Sequence, residues 1–335
     1  MKEKILDYLN KKYDYLSGDQ ISKHLGISRQ GLWKHIQELK DSGYDIVAVP
    51  HLGYRLESCP DRLFPFEVAR GLNTKFIGTD GEHRRTIGSS TKLGSGKIHY
   101  FDYLASTMDQ AMQLGMAGAA SGSIVLAESQ IKGRGRLGRS WFSPKYKGIY
   151  LSLILRPKIL PNACPILTLM SAVSICEAIK EIIDLEVQIK WPNDLLIHNK
   201  KVAGILTEMN AEVDKVNFVV IGIGLNVNNE KKSLIPQATS LKQEQGAEIN
   251  RLVLLQEILR KLEDNYFLLK DRGPEEIIHK WRNFALTLGT RVKVDYQNKH
   301  IQGQAIDIDM DGALLVRKDS GLIQKISSGD VSACR

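Results

Sequence analysis

Lys132-Gly133-Arg134-Gly135-Arg136-Leu137-Gly138-Arg139-Ser140-Trp141 alternates three glycines with three arginines and closes on an indole. Glycine lets a backbone come close to a ligand. Three guanidiniums on one loop ask for an anion, most naturally phosphate or carboxylate. An apolar run, Ser123-Ile124-Val125-Leu126-Ala127, precedes the loop, and a second, Gly148-Ile149-Tyr150-Leu151-Ser152-Leu153-Ile154-Leu155, follows it. The segment is therefore a basic glycine-rich loop between two strands. The Gly-x4-Gly-Lys-Ser/Thr pattern of a phosphate loop opening a helix is absent. The alternative is a surface turn that binds nothing, and ordering such a loop without a ligand is entropically costly.

Around this loop the pattern alternates between strand and helix. Strands are predicted at Lys97–Tyr103, Ser123–Glu128, Ile149–Arg156, Val187–Trp191, Asp194–Ile197, Lys201–Asn210 and Asn217–Asn226, and helices at Thr107–Gly115, Pro165–Ile183 and Asn250–Lys270. This is a mixed α/β or α+β sheet domain. Four other segments in it carry polar groups at element ends. Ala105-Ser106-Thr107-Met108-Asp109 sits at a strand-to-helix junction, where free N–H groups and hydroxyls bind small polar groups or simply cap the helix. Lys190-Trp191-Pro192-Asn193-Asp194 joins an amine, an amide and a carboxylate in one turn, and Asp194 is a candidate for positioning Mg²⁺. Lys200-Lys201-Val202-Ala203-Gly204-Ile205-Leu206 places a cation at the mouth of an apolar strand. Ile221-Gly222-Ile223-Gly224-Leu225-Asn226-Val227 lets a flat ring lie on glycine backbone, or lets a neighbouring strand pack closely.

Residues 1 to about 62 read as a separate unit. Ile5, Leu6 and Leu9 give a first helix its apolar face. Ser17-Gly18-Asp19-Gln20 has capping-box spacing and opens a second helix to His24. Ser28 caps a third helix, from Arg29 to about Asp41, with Leu32, Ile36 and Leu39 inward. Its other face carries Arg29, Gln30, Lys34 and Gln37. This is helix-turn-helix spacing over 18–37, and Tyr44–Val49 and Tyr54–Leu56 add a hairpin wing. DNA is the expected partner, with Ser28, Arg29, Gln30, Lys34 and His35 facing it; a three-helix protein-interaction module is the alternative. From Thr290 onward only short strands remain, Arg291–Tyr296, Ile301–Ile308, Ala313–Arg317 and Ile323–Ile326, punctuated by Asn298, Asp311-Gly312 and Ser320-Gly321. They predict a small SH3-like β-barrel. Residues 79–97, rich in Gly, Ser, Thr and Lys, read as an exposed loop.

The length of 335 residues fits two or three domains. A hydrophobic fraction of 43% and a charged fraction of 25% are those of a globular protein. No apolar run approaches the ~20 residues that span a bilayer. Cys59, Cys164, Cys176 and Cys334 have neither metal-ligand nor disulfide-scaffold spacing and read as free thiols of a reducing cytoplasm. The net charge of +8 favours an anionic partner without naming it.

In this order, the Gly-Arg-Gly-Arg-x-Gly-Arg loop, the Lys190–Asp194 turn and the Lys201–Leu206 strand resemble the biotin–protein ligases. The unit in front resembles the bifunctional class, which also represses biotin biosynthesis and uptake genes. The resemblance covers the chain apart from about 79–97. It implies a multidomain α+β protein: a winged helix-turn-helix at 1–62, a mixed-sheet catalytic domain of the class II synthetase-like type at 63–285, and the SH3-like barrel at 286–335. It implies biotin, ATP and Mg²⁺ as ligands, with biotinyl-5′-AMP as both intermediate and corepressor. The implied partners are a biotin carboxyl carrier domain of acetyl-CoA carboxylase or another biotin-dependent carboxylase, operator DNA, and a second copy of the chain once ligand is bound; no membrane is implied.

By the same resemblance, Ser106, Thr107 and Gln130 bind the ureido ring region of biotin, and Met108, Arg134, Gly135, Arg136, Lys201 and Gly204 complete that site. Lys201, touching carboxyl and phosphate, and Arg136, retaining the intermediate, are the catalytic pair. Gly133, Arg139, Trp141, Lys190, Asn193 and Asn226 fall to ATP and the adenylate, with Trp141 near the adenosine and Asn226 reading adenine. Asp194 with Mg²⁺ helps neutralise the triphosphate. Two positions depart from the family pattern: Met108 stands where Asn is frequent, and Leu137 where a polar or basic residue is frequent. A transcription factor that only senses a ligand and a lipoate ligase, whose catalytic fold is related, are the competing readings.

Overall fold

The computed structural model describes residues 1–10, 14–78, 96–296 and 299–333. The predicted exposed loop falls outside the described residues over 79–95, as do Asn298 and Cys334. The chain divides between Arg62 and Leu63 into two compact units.

The first unit comprises α1 (Lys2–Asn10), α2 (Gly18–Leu25), α3 (Arg29–Asp41) and a hairpin of β1 (Asp45–Val49) and β2 (Gly53–Ser58). Ser17 and Gln20 form the reciprocal capping box expected from their spacing, and Gly26 at φ +64° ends α2 in the left-handed region. Ser28 accepts from the Gly31 amide and starts α3. Ile5, Leu6, Leu9, Ile21, Leu32, Ile36 and Leu39 are buried. The wing returns at Gly53, φ +116°, where a Cβ would sit 2.0 Å from the Leu16 carbonyl. That close approach lets Leu16 and Tyr54 exchange backbone hydrogen bonds of 2.9 Å each.

The second unit is built on a seven-stranded sheet of order β3-β4-β5-β9-β8-β7-β6. Its strands are β3 (Ile98–Phe101), β4 (Ile124–Ala127), β5 (Gly148–Leu155), β6 (Gln188–Lys190), β7 (Asp194–Ile197), β8 (Lys200–Ala211) and β9 (Val216–Asn226). β3 and β4 are parallel and the remaining pairs antiparallel, so the sheet is mixed. One face is covered by α6 (Pro165–Ile183), α8 (Arg251–Arg272) and α9 (Glu275–Phe284), whose apolar side chains join those of the sheet in one core. The other face meets α5 (Thr107–Met116) through a smaller cluster of Met108, Ala111, Val125, Ile154, Phe218 and Val220. The sequence pattern did not separate α4 (Pro65–Gly71), α7 (Leu241–Gln245) or α9. The first two are too short to show a period, and Pro274 starts α9 with no side-chain cap.

Five strands follow: β10 (Arg291–Tyr296), β11 (Lys299–Ile308), β12 (Leu314–Arg317), β13 (Ile323–Ile326) and β14 (Asp330–Ala333). They form an antiparallel sheet of order β13-β12-β11-β10-β14. β14, unpredicted, closes it against β10. This sheet is packed onto the central one: Trp191 Nε1 donates to the Gly312 carbonyl at 3.0 Å, and the apolar residues of both share one core. No helix among the described residues is long and apolar enough to cross a membrane.

Candidate active site

Gly204 on β8 pairs directly with Gly224 on β9, and Gly222 lies between Leu206 and Ser152 on the flanking strands. Residues i and i+2 of a strand share a face. Gly222, Gly224 and Asn226 therefore line one side of the sheet, while Ile221, Ile223 and Leu225 enter the core on the other. The glycine strip is covered by the protein itself. A Cβ on Gly224 would come 2.5 Å from Trp141 Cε2, and one on Gly204 3.1 Å from Trp141 Cζ3. Met108 Sδ lies over Gly222, 2.4 Å from where its Cβ would be. The flat ring expected on this glycine backbone is, in the structure, the indole of Trp141. Its Nε1 is buried and has no hydrogen-bond partner among the described residues, an unmet donor of the kind that marks functional positions.

The junction before α5 supplies fixed polar groups. Ser106 caps the helix, accepting from the Asp109 amide. The Thr107 amide and hydroxyl both donate to Gln130 Oε1, at 2.8 and 3.1 Å. Ser152 donates to the Thr107 hydroxyl at 2.9 Å, and Gln130 Nε2 donates to Ser143 at 2.9 Å. A hydroxyl and an amide held in this way suit a ligand group that both donates and accepts.

The three loop arginines have different fates. Arg134 is paired with Asp109, 2.7 Å from Nη1, and with Glu208. Arg139 is exposed and paired with Asp330 of β14. Arg136 donates to Asn193 Oδ1 at 2.8 Å and to the Gly329 carbonyl at 3.4 Å, and forms no ion pair among the described residues. Burial pushes its guanidinium below the ordinary arginine range, with Asp330 and Asp194 opposing more weakly. A half-buried cation with no carboxylate in direct contact is costly until an anion arrives. Lys201 Nζ lies 2.6 Å from Asp194 Oδ1 and 5.6 Å from the centre of the Trp141 ring.

Thr107, Met108, Gln130, Arg134, Gly135, Arg136, Trp141, Asn193, Lys201 and Gly204 line one cavity of about 40 Å³, together with Ile205, Leu206, Gly222, Ile223 and Gly224. A second, of about 340 Å³, adjoins it through Arg136, Asn193, Ile205 and Leu206 and runs to Ser327 and Ser328 of the C-terminal sheet. The smaller cavity is far below the ~300 Å³ of a small-molecule site, because Trp141 and the loop lie on it. Ser106, Gly133, Arg139, Lys190, Asp194 and Asn226 line neither cavity. Gly133 accepts from the Trp141 amide at 2.8 Å and pinches the loop at its neck. Lys190 faces Asp194 across β6 and β7. Asn226 is buried and donates to the Thr239 carbonyl at 3.0 Å. The partners Asp109, Glu208, Ser143, Ser152 and Asp330 were missed. Asp109 and Ser152 stood inside quoted stretches without being given a role; the others come from strands and turns whose register no local pattern reveals.

No group of three or more His, Cys, Asp or Glu side chains gathers as a metal site among the described residues. Asp194 offers a single carboxylate. That suits a Mg²⁺ ion carried in on phosphates, which takes most of its ligands from phosphate and water.

On the first unit, Arg29, Gln30 and Lys34 are exposed, and Arg29 Nε is held at 2.6 Å by Asp19. Ser28 spends its hydroxyl on the cap. At 100° per residue His35 falls on the flank of α3, half-buried, with Nδ1 3.5 Å from Glu38.

Three family profiles match the chain. "Biotin/lipoate A/B protein ligase family" covers residues 100–226, "HTH domain" residues 2–55, and "Biotin protein ligase C terminal domain" residues 287–333. The bifunctional ligase/repressor BirA of Bacillus subtilis is 39% identical over 322 residues, 95% of this chain and 94% of the relative. BirA of Escherichia coli is 32% identical over 321 residues, 95% and 93% of the two chains. Among solved structures, the biotin protein ligase of Aquifex aeolicus in complex with biotin and ATP superimposes with a TM-score of 0.61 at 30% identity, covering 71% of this chain and 98% of that one. Similarity at this level across nearly the full length, with all three profiles in order, means that the chain belongs to the BirA family of biotin–protein ligases.

Proposed function

We propose that this chain activates biotin with ATP, transfers it to a lysine of a biotin-dependent carboxylase, and represses transcription when its adenylate is bound. The observation that carries the reading is Arg136: a guanidinium half-buried where both cavities meet, with no carboxylate partner among the described residues. The C-terminal profile and the BirA relatives favour biotin over lipoate.

In the first step a carboxylate oxygen of biotin attacks the α-phosphorus of ATP. The bond from that phosphorus to the bridging oxygen breaks, pyrophosphate leaves, and biotinyl-5′-AMP remains. Both reactants are anionic, so the site must bring them together with preorganised cations and needs no side-chain nucleophile. Thr107 and Gln130 orient the ureido ring. Lys201 exchanges Asp194 for the carboxylate and α-phosphate, and Arg136 closes on the adenylate. Trp141 leaves the glycine strip to stack near the adenosine, with Asn193 and Asn226 at the nucleotide. Asp194, once released by Lys201, would hold Mg²⁺, which would supply positive charge to the triphosphate. In the second step the neutral amine of the acceptor lysine attacks the acyl carbon, AMP leaves, and the amine proton passes to solvent.

The catalytic domain takes residues 63–285 and the C-terminal barrel 286–335, with 1–62 at operator DNA through Gln30 and Lys34. Two half-sites read by one helix-turn-helix per chain require a dimer. We place the protein in the cytoplasm, where Cys59, Cys164 and Cys176 stay reduced. Incorporation of labelled biotin into a purified carrier domain, dependent on ATP, tests the reading. A ligand sensor without ligase activity would bind both substrates and leave the domain unlabelled.

A further inference from the structure

A tryptophan stands on the otherwise polar face of α3. Gln30, Trp33, Lys34 and Gln37 are three and four residues apart and share one side of the helix. Leu32, Ile36 and Leu39 take the other and are buried. Trp33 is 57% exposed, although a large aromatic ring gains more than most side chains from leaving water. The unit's core is complete without it. Its neighbours on the face are amide and amine donors, and the stretch Arg29–Gln37 contains no carboxylate. A helix side that combines hydrogen-bond donors with one flat apolar ring has a matching surface in the DNA major groove. There, base edges and phosphates accept hydrogen bonds, and the thymine C5-methyl is the apolar feature.

We infer that Trp33 determines sequence specificity by resting its ring on a thymine methyl, while Gln30 and Lys34 take the flanking base edge and phosphate. The inference rests on the reading of the first unit as DNA-binding and adds to it the residue and the base feature. A protein partner on the same face would bury the ring equally well but would be indifferent to a DNA methyl group.

The test uses the full-length protein with biotin and ATP. Bound duplexes are selected from a random-sequence library, and the recovered site is resynthesised with deoxyuridine in place of thymidine, one symmetric position at a time. Deoxyuridine keeps every hydrogen-bonding group and removes only the methyl. Wild-type binding should weaken about fourfold per half-site at one position, the worth of one buried methyl. Trp33→Ala should bind the thymidine duplex more weakly and show no response to deoxyuridine at that position, while Trp33→Phe keeps the response. Biotin transfer should be the same in all three. If the alanine variant binds no duplex, Trp33→Gln replaces it under the same criterion. A wild-type protein indifferent to deoxyuridine throughout, or an alanine variant as methyl-dependent as wild type, overturns the inference while leaving DNA binding intact. Failure of the wild type to recover any sequence overturns the DNA-binding reading itself and the inference with it.

Discussion

At the residue scale, charge placement separates groups that act from groups that hold. Arg134 and Arg139 are satisfied by Asp109, Glu208 and Asp330, so their first effect is to shape the loop. Lys201 has a partner too, but that partner is Asp194 at the cavity margin, and the pair separates if Mg²⁺ takes the carboxylate. Lys201→Ala should leave the fold intact and lower adenylate formation about a hundredfold, equivalent to ~3 kcal/mol of lost charge stabilisation. Pyrophosphate release measures it, and a near-normal rate would remove Lys201 from the mechanism. Gly224→Ala probes the covered strip. Its new Cβ would meet the Trp141 ring at 2.5 Å, and such overpacking costs ~1–3 kcal/mol. The clash acts on the ligand-free state, which Trp141 leaves when the nucleotide binds, so the KM for ATP should fall about tenfold; an unchanged value would separate Trp141 from the nucleotide.

At the element scale, the loop and the frame under it differ in how they are held. Residues 133–141 rest on polar side-chain pairs, most of them exposed, and on a few backbone bonds, and exposed ion pairs contribute little. Biotin with ATP should slow proteolytic cleavage within 133–141 several-fold, read by mass spectrometry of the first fragments; equal cleavage would mean that the ligand does not order the loop. The frame is anchored by a pair with no exposure at all. Glu128, at the end of β4, meets Arg251 of α8 at 2.7 Å. Its other oxygen accepts the Leu63 amide at 2.8 Å, and Arg251 also donates to the Gly148 carbonyl at 3.0 Å. Removing one partner strands the other charge, so Arg251→Ala should destabilise the larger unit by ~3–5 kcal/mol. Urea unfolding followed by circular dichroism reads the shift, and an unmoved midpoint would show that water reaches Glu128.

At the scale of the whole molecule, the proposed regulation is a linkage between ligand and partner. A dimer formed close to loops that the adenylate orders would be favoured by ligand, because the ordering cost is already met. Gel-shift titrations should show tighter, two-protomer binding to a palindromic site when biotin and ATP are both present. Unbiotinylated carrier domain, competing for the same surface, should reverse it. Identical DNA affinity with and without the substrates would leave a ligase whose first unit does not regulate.

The sequence by itself determined what is local and periodic. Ser17-x-x-Gln20 and Ser28 set two helix starts, the 3.6-residue pattern gave Arg29–Asp41 and Pro165–Ile183, and the family motifs lie within single loops and strands. Short elements such as α4, α7 and β14 carry too few residues for a period to emerge. Tertiary structure decided what depends on register and on distant pairing. Gly204 lies opposite Gly224 only because β8 and β9 align that way, and the gap so opened admits Trp141 from a loop that local pattern cannot aim. Arg139 and Asp330 lie far apart in the chain, and which arginine of three forms no direct ion pair among the described residues follows from where the carboxylates fold. Helical phase in turn put His35 on the flank of α3 and Trp33 on its open face. Composition and spacing name the groups that enter a site; long-range pairing sets which of them remain free to act, because charge and close packing depend on distance in space.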